Sequence, residues 1–257
     1  MITTMKNFAR WLLHRHVYTV QHGLAKGLKR RGGFAFLRKK LSSEEQFLLT
    51  LNFTNQTVYD VGGWEGIFTC FFARAVGPQG QVVTFEPNPR CQAHIRENVR
   101  LNHFENVQVI GVGLSSVAGK DTLVFSAQSL GVGSLQADIK RQLLDGEGAI
   151  KVDVELDTLD HQIALHKLPP PAFIKIDVEG LEYDVLAGMS KTIATYAPKL
   201  YIEIHGADDQ KKIENVQKVV SLLYTSGYTI KHIESGEMVT LAGAERAKAG
   251  HLYCLKA

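Results

Sequence analysis

The sequence predicts an α/β fold: a doubly wound, Rossmann-like, mostly parallel sheet with an antiparallel edge, preceded by a basic helical extension. Three observations carry this. From Val58 onward, short apolar runs alternate with stretches of helical periodicity, the pattern of parallel strands joined by crossover helices. Two early strands end in a carboxylate followed by turn residues, Asp60 before a glycine-rich turn and Glu86 before Pro87-Asn88. Charge is divided unevenly, with a purely basic start and a net acidic remainder.

From Met1 to Ser43 the only charges are basic: Lys6, Arg10, Arg15, Lys26, Lys29, Arg30, Arg31, Arg38, Lys39 and Lys40. The first acid is Glu44. Residues 1–51 are therefore read as a basic N-terminal helical extension and 52–257 as the main domain. Three readings of the extension stay open: a solvated helical appendage, an interfacial segment for an anionic membrane surface or ligand, and a transit peptide. Ser42-Ser43-Glu44-Glu45 has the form of a capped helix start, and a short helix is expected over Glu44–Leu51.

The next elements follow in alternation: a strand over Val58–Val61, a helix over Ile67–Val76, a strand over Gln81–Phe85, a helix over Pro89–Asn102 and a strand over Val107–Val112. Leu114 to Leu156 breaks the rhythm. Asp121–Phe125 and Lys151–Leu156 alternate like exposed-edge strands around a Gly131–Leu135 loop, so an insertion with a hairpin-like pair and a mobile segment is expected. Phe173–Ile176 and Leu200–Ile204 are further core strands, each followed by a helix. Tyr228–Ile233 and His251–Leu255 close the sheet as an antiparallel pair.

With 257 residues, 45% hydrophobic and 21% charged, the chain suits one large domain with an appendage. No run of eighteen apolar residues is present, so no transmembrane helix is expected. Cys70, Cys91 and Cys254 are too few and too scattered for a disulfide framework or zinc ribbon. They fit a reducing, cytoplasmic setting, peripheral to a membrane if the basic segment binds one.

The turn Asp60-Val61-Gly62-Gly63-Trp64-Glu65-Gly66 joins a strand to a helix amino terminus, where glycine lets backbone approach a ligand. Glu86, at the end of the next strand, is placed to accept both hydroxyls of a ribose, with Pro87 and Asn88 beside it. A dinucleotide site would want G-x-G-x-x-G, and Trp64 stands where the second glycine belongs. The D-x-G-x-x-x-G pattern of Asp60, Gly62 and Gly66 suits instead a nucleoside bearing an amino acid end, whose ammonium Asp60 would neutralise directly or through water. S-adenosylmethionine is favoured over a nicotinamide cofactor on this ground. A bare structural turn is the bland reading, and the spacing of Glu86 weighs against it.

A second cluster lies on the later strands. Asp177 and Glu179 follow Phe173–Ile176, and Glu203 and His205 share one face at the end of the next strand. Four polar groups are thus expected to converge at the carboxyl edge of the sheet. Lys175 alternates away from Ile174 and Ile176 and is read as structural.

These segments resemble the FkbM-type methyltransferases over about Val58 to Gly206: DVGGWEG at 60–66, FEPNP at 85–89, ENVRLN at 97–102, GVGSL at 131–135, IKIDVEGLEYDVLAGM at 174–189 and YIEIHG at 201–206. The resemblance implies a class I methyltransferase sheet, S-adenosylmethionine as donor, and O-methylation of a sugar, glycolipid or natural-product hydroxyl. One departure stands out: family members commonly carry Ala-Asn where this chain has Gly63-Trp64, so a side-chain amide contact to the cofactor is lost.

Methyl transfer from a sulfonium needs an aligned acceptor and help in removing the hydroxyl proton. His205 is the preferred base, since its ordinary pKa lies near neutrality. Asp177 or Glu203 would orient it or hold the acceptor, with Ser134 and Glu179 as acceptor contacts. A divalent cation on Asp177 and Glu203 is the rival, and two ligands are too few to assert a metal. A non-catalytic protein of the same fold and a nucleic-acid methyltransferase remain alternatives. The second is disfavoured because no basic–aromatic surface motif is present.

Overall fold

The computed structural model describes residues 16–31, 40–126, 129–145 and 148–256. Much of the basic segment, including Lys6, Arg10, Trp11, His14 and Phe34–Lys39, lies outside the described residues.

The core is a seven-stranded sheet. Its parallel part comprises β3 (Thr57–Val61), β4 (Gln81–Phe85), β5 (Val107–Ile110), β10 (Phe173–Ile176) and β11 (Lys199–Glu203). With β12 (Tyr228–His232) and β13 (His251–Lys256), the order is β12-β13-β11-β10-β3-β4-β5. The order reverses between β3 and β10, which opens a crevice at the carboxyl ends of these two strands. The closing pair forms the antiparallel edge as expected, with β12 outermost. β13 threads between β11 and β12 and runs antiparallel to both.

The strands read as near-continuous apolar runs because both faces are covered. Tyr59, Val61, Ile174, Ile176, Leu200 and Ile202 pack beneath α6 (Glu182–Ala187), α7 (Ser190–Tyr196) and α8 (Asp209–Thr225). The alternate residues Val58, Val82, Phe173 and Tyr201 meet Phe71, Phe72 and Val76 of α2 (Ile67–Val76). Lys175 falls on this second face, fully buried, with its ammonium 2.9 Å from Asp177 and 4.4 Å from the Phe68 ring centroid. The structural reading of Lys175 fits this placement.

Two expectations are corrected. The described part of the extension is not helical before residue 43. β1 (Val17–Thr19) and β2 (Lys29–Arg31) form an antiparallel hairpin clamped to the domain. The physical reason is a set of partners invisible to periodicity. Arg30 is buried in an ion pair with Glu65 of the glycine turn. Asn98 of α3 (Pro89–Leu101) and Asn102, the cap at its carboxyl end, accept the Arg31 and Lys29 amides at 2.9 and 2.8 Å. Val20, Ala25 and Leu28 bury themselves with Cys70. The helix start at Ser42 is found as a capping box, and α1 (Ser43–Leu48) follows it.

The insertion is also more than a hairpin-like pair. β6 (Gly113–Leu114), β7 (Gly119–Ser126), β8 (Ser129–Ser134) and β9 (Ala149–Asp157) form a second sheet in the order β6-β9-β7-β8. Gly131–Ser134, expected in a loop, is strand: its backbone pairs with β7, which the glycines concealed. α4 (Ala137–Leu144) follows, and α5 (Leu159–His166) leads back to β10. Among the described residues, no helix is long and apolar enough to cross a membrane.

Candidate functional site

The crevice is floored by Val61, Gly62, Trp64, Phe85 and Glu86 at one end and by Asp177, Glu179, Glu203 and His205 at the other. Leu123 and Ser134 of the inserted sheet, with Leu135 just after it, also line it. Each group arrives at the carboxyl end of a core strand, so its backbone is fixed by the ladder behind it.

The first end is built by backbone. Gly62 takes φ +85°, and a Cβ there would lie 1.8 Å from the Asp177 carbonyl oxygen, so no side chain fits. Gly66, at φ +81°, opens α2. Gly63 is also held to glycine, because a Cβ would sit 2.2 Å from Thr84 Cγ2. The Ala of the common family pattern is therefore excluded by Thr84. Trp64 takes φ +47°, a left-handed conformation that a bulky residue rarely adopts. Its N–H donates to Glu86 Oε2 at 2.8 Å, and its side chain stays 41% exposed on the cavity wall.

Glu86 also accepts the Asn88 N–H at 2.8 Å on Oε1. Burial raises its pKa to about 7 against the lowering effect of these two hydrogen bonds. Pro87 lines the cavity, while the Asn88 side chain caps α3 by accepting from the Arg90 N–H at 3.0 Å. Asp60 stands elsewhere. It is fully buried under the turn, accepts from the Thr69 hydroxyl at 2.6 Å, pairs across the ladder with Lys175 and does not reach the cavity wall. Strand alternation turns its carboxyl into the α2 face, where its Oδ1 has no hydrogen-bond partner among the described residues.

The second end is built by side chains. His205 Nε2 lies 3.5 Å from Glu203, 3.8 Å from Asp177 and 3.9 Å from Glu179, so the four expected groups do converge. A fifth was not expected. Glu182, wholly buried at the start of α6, bonds His205 Nδ1 at 2.9 Å and accepts the Gly180 N–H. Asn215 of α8 donates both to Glu182 and to the His205 carbonyl. In sequence, an acid at position 182 counts only as a favourable charge at a helix start. Its three-residue spacing from Glu179 was the available signal.

This crowding changes the chemistry of His205. Burial alone would lower its pKa, but Glu182, Glu203 and Asp177 raise it to about 11. These carboxylates thus favour the protonated imidazole over the free base expected from its ordinary pKa. Glu203 is held well below the usual carboxylate range by His205 and His251, against the effect of burial. Glu179 differs: burial raises it to about 7, although His205 pulls it down. It sits at φ +53° with its carbonyl fixed by the Ser134 hydroxyl at 2.8 Å. Ser134 thus spends its donor on Glu179, while still lining the cavity.

A profile of the methyltransferase FkbM domain matches residues 59–230. The chain is 28% identical to methyltransferase sdnD of Sordaria araneosa over 181 residues, covering 61% of this chain and 69% of that one. It is 29% identical to methyltransferase 1 of Beauveria bassiana over 145 residues, 51% of this chain and 57% of the other. Among solved structures, the FkbM methyltransferase of Methylobacillus flagellatus superposes with a TM-score of 0.51 at 18% identity, over 79% of this chain. This chain spans only 44% of that protein. Cofactor-bound Rv0187 from MTB gives a TM-score of 0.50 at 15% identity, over 85% and 82% of the two chains. At such identities the solved structures speak for the fold. The match of the domain profile over most of the chain, on the segments that build both ends of the crevice, places this protein in the FkbM methyltransferase family.

Proposed function

We propose that the chain is an S-adenosylmethionine-dependent O-methyltransferase acting on a hydroxyl of a sugar, glycolipid or natural product. The observation that carries this is the continuity of one cavity from Glu86 to Glu179 and His205. The residues fit the donor. Gly62 leaves bare backbone at the turn, and each Glu86 oxygen carries a single backbone hydrogen bond, with acceptor capacity remaining for a ribose diol. When bound, the donor supplies an electrophilic methyl group on a sulfonium whose thioether leaves readily.

The protein's own residues do the rest. Leu123, Leu135 and Val178 exclude water from the acceptor end. Glu179, poised near neutrality, takes the acceptor proton as the oxygen attacks. His205, cationic and locked by Glu182 and Asn215, holds Asp177, Glu179 and Glu203 in register and offsets their mutual repulsion. Positioning by such a rigid frame supplies several kcal/mol of the barrier reduction.

The test is calorimetry with S-adenosylmethionine and with NADH, then a mass screen of hydroxylated glycans, lipids and small metabolites for gain of one methyl group. Binding of the methyl donor alone, with methylation at oxygen, is expected. Binding of NADH instead, or methyl gain only at nitrogen or carbon, overturns the reading.

A further inference from the structure

Glu203 also belongs to a second polar cluster, whose other members, Glu44 and His251, do not line the crevice and are not used in the methyl-transfer chemistry. Glu44 comes from the first turn of α1, Glu203 from the end of β11 and His251 from the start of β13. His251 Nε2 lies 3.5 Å from Glu44 Oε1 and 3.5 Å from Glu203 Oε2. These are long for hydrogen bonds. They match the roughly 3.4 Å between ligand atoms that share a tetrahedral ion at about 2.0–2.2 Å. The three ligand atoms all fall within 4.8 Å of one another.

Independent observations point the same way. His251 is 9% exposed, yet its Nε2 makes no hydrogen bond among the described residues; nor does Glu44 Oε1, nor the hydroxyl of Tyr201, a wholly buried ring stacked on His251 at 5.1 Å. Buried polar atoms without hydrogen bonds are costly, and Glu44 Oε1 and His251 Nε2, 3.5 Å apart, could be satisfied together by one shared ion. On its other side, His251 Nδ1 bonds Glu234 Oε1 at 2.6 Å, and Glu234 Oε2 accepts the His251 backbone N–H at 2.8 Å. A carboxylate on one ring nitrogen with the other aimed at carboxylates is the arrangement that fixes a metal-ligating imidazole.

We propose that Glu44, Glu203 and His251 form a buried site for one divalent transition metal, zinc being the ion this oxygen–oxygen–nitrogen donor set suits, with Glu234 orienting His251. The ion ties α1 to β11 and β13 and takes one oxygen of Glu203, leaving Oε1 facing His205 in the crevice.

The experiment is titration of the chelator-treated full chain with zinc chloride by calorimetry, alongside Glu44→Gln, Glu234→Gln and Asp177→Asn. One ion per chain is expected. Glu44→Gln and Glu234→Gln should weaken binding by about 10- to 100-fold, while Asp177→Asn leaves it within about twofold. Thermal melts of the metal-free variants check folding. Should Glu44→Gln fail to fold, anomalous scattering from zinc-soaked crystals of the unaltered chain locates the ion. Absence of saturable binding overturns the proposal. So does binding that Asp177→Asn abolishes and Glu44→Gln spares, which puts the ion on Asp177, Glu203 and His205 instead.

Discussion

The two ends of the crevice are made in different ways. At the Glu86 end the partners are main-chain amides of Trp64 and Asn88 and glycines with no room for a Cβ. At the His205 end the partners are side chains from β10, α6, β11 and α8, packed until five ionisable groups share one small space. The first end resists change through sterics. The second resists it through charge balance, since removing one member leaves another buried and unpaired. A backbone-built site is thus fixed by local sequence, whereas a side-chain site depends on the whole assembly.

The largest expected effect breaks the second end. Glu179→Gln should lower the turnover rate by about 10²- to 10⁴-fold and flatten a pH–rate profile that in the unaltered enzyme rises through about pH 7. Retained activity with an unchanged profile would remove Glu179 as the base. Gly62→Ala attacks the first end. The clash with the Asp177 carbonyl and the positive φ should destabilise the fold by about 4 kcal/mol, read by denaturant unfolding. A loss below about 1 kcal/mol would mean that the turn is looser than described.

Stability against pH separates the ends further. His205 has a folded pKa of about 11, above its ordinary value, so its contribution is complete below about pH 6.5 and fades as pH rises towards 11. Melting temperature should fall over that window, and His205→Gln should flatten the fall. Next in size, Glu86→Ala should weaken S-adenosylmethionine binding by about 10- to 100-fold, equivalent to the roughly 1.5–3 kcal/mol of charged hydrogen bonds to a diol, without altering the pH window of His205. The smallest effect is stabilising. Trp64→Asn relieves a left-handed tryptophan and should raise stability by roughly 1 kcal/mol in the same unfolding assay.

Legibility in the sequence followed the same division. Gly62, Gly66 and Glu86 were readable because a turn and a strand end are local events with fixed spacing. Glu203 and His205 were readable as neighbours because alternation is strict. The same alternation sends the Asp60 carboxyl to Thr69 beneath the turn, which spacing alone did not tell. Glu182 and Asn215 stand 33 residues apart and meet only when α6 and α8 pack on the same sheet face. The hairpin over residues 17–31 was missed because its ladder is short, and its stability comes from Glu65, Asn98 and Asn102 far along the chain.

By itself the sequence determined the alternation of strands and helices, the family, the glycine turn and which carboxylates end which strands, because each is written in periodicity or in contiguous residues. Only the tertiary structure decided that β13 enters the sheet between β11 and β12, that the insertion folds as a second sheet, and that carboxylates from several elements surround His205 and favour its cation. Those outcomes depend on which distant groups share a low-dielectric space, and no stretch of sequence carries that distance.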